Sequence, residues 1–280
     1  MYKKVLMDIQ FIDPVLEVLE EVKSITGKGI EFIQKEDLPT YAALQMARKN
    51  MPSHLIYYKK EHDEIINHLI VHECGHLLRT FKCPENLRLI PYSNQRLKYD
   101  ALKKIENEIE DLKKILSEDQ IAHIINLWYN GLIRQVTNFP PDIMIEKWIY
   151  NQFPMLRFLQ LKSIKKQHAD SVSGLTETVR KITPYTILFA SNVMNYAFFR
   201  ILGLHIGHNF TRQYSSTSYI GKGKELAAIT EKNYINSHEG DNIMIEKWAN
   251  YLNISDWFKW RGFEDVPPDY GNETSVNNSK

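Results

Sequence analysis

The sequence predicts an α+β fold that is predominantly helical: a small N-terminal sheet with one buried helix, followed by a helical C-terminal region. Three observations carry that expectation. Two short runs rich in strand formers, Gly29-Ile30-Glu31-Phe32-Ile33 and His54-Leu55-Ile56-Tyr57-Tyr58-Lys59-Lys60, fall early in the chain. The segment from Asp63 to Phe81 is apolar around most of its helical circumference, the mark of a helix buried on all sides. Beyond about residue 97, the readable segments have the three-to-four apolar spacing of helices.

In chain order, Phe11 to Thr26 reads as a first helix, and Tyr41 to Lys49 as a helix between the two strands. From Lys98 to Leu116, the residues Leu102, Ile105, Ile109, Leu112 and Leu116 form a narrow apolar seam. Two heptads are too few for a coiled coil, so this helix packs on the domain or pairs with Ser117 to Val136 as a hairpin. Pro140 and Pro141 suit the start of a helix running to Gln152. Further helices are expected at Pro154 to His168, Pro184 to Gly203, Lys224 to Asn236 and Asp241 to Tyr251, with Ser215 to Gly223 a loop by composition. Trp257 and Trp260 close the core of the last helices. The segments group into a sheet-bearing subdomain over 1–96, a helical subdomain over 97–264 and a polar tail over 265–280, expected to be disordered.

Composition narrows the function classes. A chain of 280 residues with 43% hydrophobic content buries a sizeable core as one domain or two lobes. A net charge of +1 without a basic stripe gives no argument for nucleic acid or an anionic membrane surface. Met1 to Asp8 has an early acid and no apolar run, so no leader peptide is expected. The most apolar stretch, near Thr183 to Gly207, contains Asn192, Asn195 and Arg200 and reads as a core helix, not a membrane span. Cys74 and Cys83 give no disulfide framework, and with the other features suggest the cytoplasm.

Within the buried segment stands His72-Glu73-Cys74-Gly75-His76. Positions four apart share a helix face, so both imidazoles can bind one metal ion, while Glu73 is offset to reach a water beside it. Buried histidines and a glutamate need partners, and a metal ion is an economical one. The competing reading is a core helix whose histidines bond to neighbouring backbone. His68 lies one turn before His72 and extends the same face. Gly75 is a poor helix former whose small size leaves room for another element. Zinc is the default for nitrogen and oxygen ligands in a tetrahedral site, and a catalytic zinc needs three protein ligands. The third is sought in Pro141-Asp142-Ile143-Met144-Ile145-Glu146, where Asp142 and Glu146 share a face. Glu146 is taken as the ligand, with Asp142 orienting a ligand histidine. Ile243-Met244-Ile245-Glu246-Lys247-Trp248 repeats Ile143-Met144-Ile145-Glu146-Lys147-Trp148 letter for letter, so Glu246 is the rival.

With these residues the chain resembles the zincin metallopeptidases, a likeness carried by His72, Glu73 and His76. Residues 77–82, Leu77-Leu78-Arg79-Thr80-Phe81-Lys82, lack the glycine and histidine of the metzincin branch, leaving a gluzincin-like pattern of which the ImmA/IrrE-type peptidases are one group. Gluzincins often carry an aspartate four residues after the ligand glutamate, and this chain has Tyr150 there. The resemblance implies one Zn2+ ion held by His72, His76 and Glu146, Glu73 as general base, and a peptide or protein substrate. It also implies that a strand shortly before the helix is an exposed edge for substrate; His54 to Lys60 is that strand, or else an interior one. Tyr150, Tyr196, Tyr214, His205 and His208 are candidate donors to a developing oxyanion. A regulatory or sensory metal protein, whose helical region binds a partner without catalysis, is the alternative.

Overall fold

A computed structural model describes residues 9–270. The absence of a leader expected at 1–8 lies outside the described residues, as does the tail beyond residue 270. Of the tail expected over 265–280, the described part is ordered, with Val266 buried and its carbonyl accepting from Nε of Arg48 at 3.0 Å. The chain runs through α1 (Asp13–Thr26), β1 (Gly29–Gln34), β2 (Ala42–Gln45), β3 (Ser53–Tyr58) and α2 (Ile66–Lys82). Strand β4 (Leu89–Tyr92) leads to α3 (Gln95–Lys104), α4 (Glu106–Leu112) and the long α5 (Glu118–Gln152). Then come α6 (Arg157–Ser173), α7 (Glu177–Ile182), α8 (Tyr185–Ile206), α9 (Ile220–Asn233), α10 (His238–Tyr251) and β5 (Lys259–Gly262). The fold is α+β and predominantly helical, as its periodicities dictate.

The described chain forms two compact units, each assembled from separate stretches. The first takes in residues up to Arg88, then Ile145–Ile164, then the residues from Gly262 onward. Pro14 sits in the first turn of α1, where its missing N–H costs nothing, and Gly27 ends the helix at φ 70°, a conformation open to glycine. Val15, Val18 and Val22 bury one stripe of α1 in a core shared with Ile70, Val71 and Leu77 of α2. The sheet has the order β1-β3-β2. Strand β1 runs parallel to β3, pairing Phe32 with Ile56, and β2 runs antiparallel, pairing Leu44 with Ile56.

Two expectations change here. Residues 42–45 are a strand rather than part of a helix, because pairing with β3 overrides the weak local preference of Ala42-Ala43-Leu44-Gln45. Strand β3 is central and bonded on both sides, so it is an interior strand and the sheet's edges are β1 and β2.

The second unit comprises Leu89–Met144 and Lys165–Arg261. Helix α8 packs along α9 and is buried at Val193, Met194, Ala197 and Phe198. It is the one helix among the described residues long and apolar enough to cross a membrane, and 78% of its apolar window lies inside the protein. The seam from Lys98 to Leu116 breaks at Ile105, which caps α3 and precedes α4. Pro140 and Pro141 do not begin a helix but lie inside α5. An interior proline costs about 3 kcal/mol. Burial of Val136, Ile143, Ile145 and Ile149 along the same helix outweighs it.

Candidate metal centre

Helix α2 begins directly after a 3-10 turn over Lys60–Ile65. From Ile66 to Thr80 it is buried except at Asn67, His72, Glu73, His76 and Arg79. The motif residues are therefore the partly open strip of an otherwise enclosed helix, where a reactive group meets water without leaving the core. The rings of His72 and His76 stand 5.1 Å apart, and those of His68 and His72 stand 6.2 Å apart.

The end of α5 supplies the opposing wall. A Cβ on Gly75 would meet Cγ2 of Ile145 at 2.7 Å, so only glycine admits the segment at this depth. The small residue inside the motif thus has a steric cause. The approach brings Glu146, 2% exposed, against the histidine face. His72 donates through Nδ1 to Oε1 of Glu146 at 2.7 Å, and His68 donates through Nε2 to Oε2 at 3.1 Å. Gln160 of α6 donates its amide to the same Oε2 at 2.6 Å and to the backbone carbonyl of Glu146 at 2.7 Å.

A carboxylate only accepts, so each facing ring nitrogen carries a hydrogen. Burial works against ionising Glu146, but His68 and then His72, through charge and hydrogen bonds, outweigh it and hold the carboxyl well below the usual carboxylate range. Ligand atoms of His68, His72 and Glu146 lie within 4.8 Å of one another, so an ion among them would have to displace both ring hydrogens. Cys74 is buried on the same helix, and burial, with the nearby charge of Glu73, raises its thiol far above the range in which it ionises.

His72, Glu73 and His76 share α2, as the motif spacing predicts, and Glu146, expected beside them as a metal ligand, bonds to Nδ1 of His72. Asp142 lies one turn earlier on α5, on the face of Glu146. Glu246 is engaged elsewhere: it accepts from Nε1 of Trp260 at 3.0 Å and from the amide of Asn250 at 3.3 Å within the second unit. Tyr214 is fully buried in that unit, and Tyr150 in the first lies under the guanidinium of Arg157, 4.6 Å from its ring. The sequence carried a hint of His68, one turn before the motif, and none of Gln160, whose partner is fourteen positions away on another helix. Compared with known proteins, the chain matches no family model, and no curated protein or solved structure matches it.

Proposed function

We propose that this protein is a zinc-dependent metallopeptidase. The observation that carries the reading is the open strip of His72, Glu73 and His76 on a buried helix, with the Nδ1 side of His72 held by a buried carboxylate. Metal-binding histidines are oriented in this way. His72 and His76 would hold the ion, which would supply a water of pKa about 7 and polarise the scissile carbonyl. Glu73 takes the proton of the attacking water as its oxygen bonds to the carbonyl carbon. It then hands that proton to the amide nitrogen as the C–N bond breaks, so one base serves both transfers. The outer edge of β2, beside α2 through Ala42, Ile65 and Leu69, is the place for an extended peptide to add as a strand.

The test is peptide cleavage by the zinc-loaded chain and by Glu73→Gln, read by mass spectrometry of a mixed peptide library. The expected result is new termini with the wild type, and a rate about 10²–10⁴-fold lower with an unchanged zinc content for the variant. Equal cleavage by both proteins sinks the assignment. Zinc bound without any cleavage favours a sensory metal protein.

A further inference from the structure

Three histidines, His68, His72 and His76, line one face of α2, but one ion cannot use all of them and the buried glutamate equally. We infer that Glu146 is the positioning residue of His72 rather than a metal ligand, and that His68 and Gln160 hold Glu146 in that role. This rests on the peptidase reading and refines its metal centre.

Four features support it. The oxygens of Glu146 already accept three hydrogen bonds, from His72 on Oε1 and from His68 and Gln160 on Oε2. An ion between His68, His72 and Glu146 would break two of those bonds at once. His68 is 0% and Glu146 2% exposed, so an ion there has no water and no open position, which a catalytic zinc requires. With Nδ1 of His72 bonded to Glu146, the nitrogen that meets a metal is Nε2, on the ring edge directed away from the carboxylate. Finally, Gln160 ties side chain to main chain by bonding both Oε2 and the carbonyl of Glu146, which fixes the rotamer.

The experiment is zinc stoichiometry and affinity, by competition with a chromophoric chelator, for wild type, His76→Ala, Glu146→Gln, His68→Gln and Gln160→Leu, with thermal melts of the metal-free proteins. The expected result is one zinc per wild-type chain and loss of stoichiometric zinc in His76→Ala. Glu146→Gln keeps one zinc at an affinity about 10–100-fold weaker, and His68→Gln and Gln160→Leu weaken it in the same direction by less. A variant that fails to fold is replaced by a readout on the wild type. Nitrogen-15 spectra of metal-free His72 should show the Nδ1–H tautomer, and zinc should shift Nε2. Loss of stoichiometric zinc in a folded Glu146→Gln protein, or a zinc-induced shift at Nδ1, overturns the assignment. No zinc in the wild type overturns the peptidase reading instead, and is told apart because every protein then behaves alike.

Discussion

The chain spells Ile-Met-Ile-Glu-Lys-Trp twice, at 143–148 and at 243–248, and folds both copies as helix. They are used in opposite ways. In the first, Ile143 is 1% and Glu146 2% exposed, while Trp148 is only partly covered and meets Phe153 edge-on. In the second, Ile243 is 46% exposed and Glu246 is half-buried, while Trp248 is fully enclosed and donates its indole N–H to Thr230 at 2.8 Å. The helix has turned its glutamate inward in one copy and its tryptophan in the other. What decides between them is the neighbour: a facing histidine run and Gly75 in one case, Thr230 of α9 in the other. Identical local sequence therefore fixes the helix and leaves its chemistry to the partner surface.

Paired substitutions sharpen or break that contrast. Trp248→Ala removes a fully buried ring and its hydrogen bond and should cost about 3–5 kcal/mol in urea unfolding, against about 1 kcal/mol for Trp148→Ala. Ile143→Ala should cost about 2–4 kcal/mol and Ile243→Ala under about 1 kcal/mol, by the same measurement. Equal losses in either pair would mean the two faces are not used differently. Glu146→Ala strands the donors of His68, His72 and Gln160 and should destabilise by about 3 kcal/mol. Glu246→Ala frees groups that water can reach and should stay within about 1 kcal/mol. Gly75→Ala forces a methyl against Ile145 and should cost about 1–3 kcal/mol, read as a lowered melting temperature.

The smallest effect concerns a buried histidine without a carboxylate. Nδ1 of His54 accepts from the Ala47 N–H at 2.9 Å, and burial, with the charge of Lys28, pushes its pKa from 6.5 down to about 4. Between those values the unfolded chain binds a proton that the folded chain refuses. Stability should fall as pH drops from 6.5 towards 4, by at most about 1.4 kcal/mol per pH unit. His54→Gln, which keeps an acceptor for Ala47, should flatten that slope in urea titrations at pH 5 and pH 7. An unchanged slope would assign the acid sensitivity to other groups.

Much of this was readable from residue order. The motif helix, β1, β3, α1 and the core helix α8 rest on local periodicity, and they fall within a few residues of their expected bounds. The sequence favours Glu146 over Glu246 because its segment follows the motif sooner and reads as a helix start at the proline pair; it does meet His72, although the prolines lie inside α5. What was not readable depends on distant partners. Strand β2 exists through β3, whose partner residues lie 10 to 16 positions away. The proline pair looked like a helix start because its cost is local, whereas the burial that carries α5 through it is spread over the whole helix. The role of Gln160 has no sequence signal at all, because a glutamine on a helix face is ordinary until a buried carboxylate is set beside it.

The gap beside Gly75 has one more consequence. Zinc sites tolerate about 0.2 Å of error in their bonds. A centre built as proposed, with His72 on α2 oriented by Glu146 on α5, would inherit its bite from the spacing of those helices, which is set where a hydrogen atom of Gly75 faces the side chain of Ile145. That pair would be a calibration screw for the proposed centre: trimming Ile145 or thickening position 75 would retune which ion fits, without touching any residue that binds it.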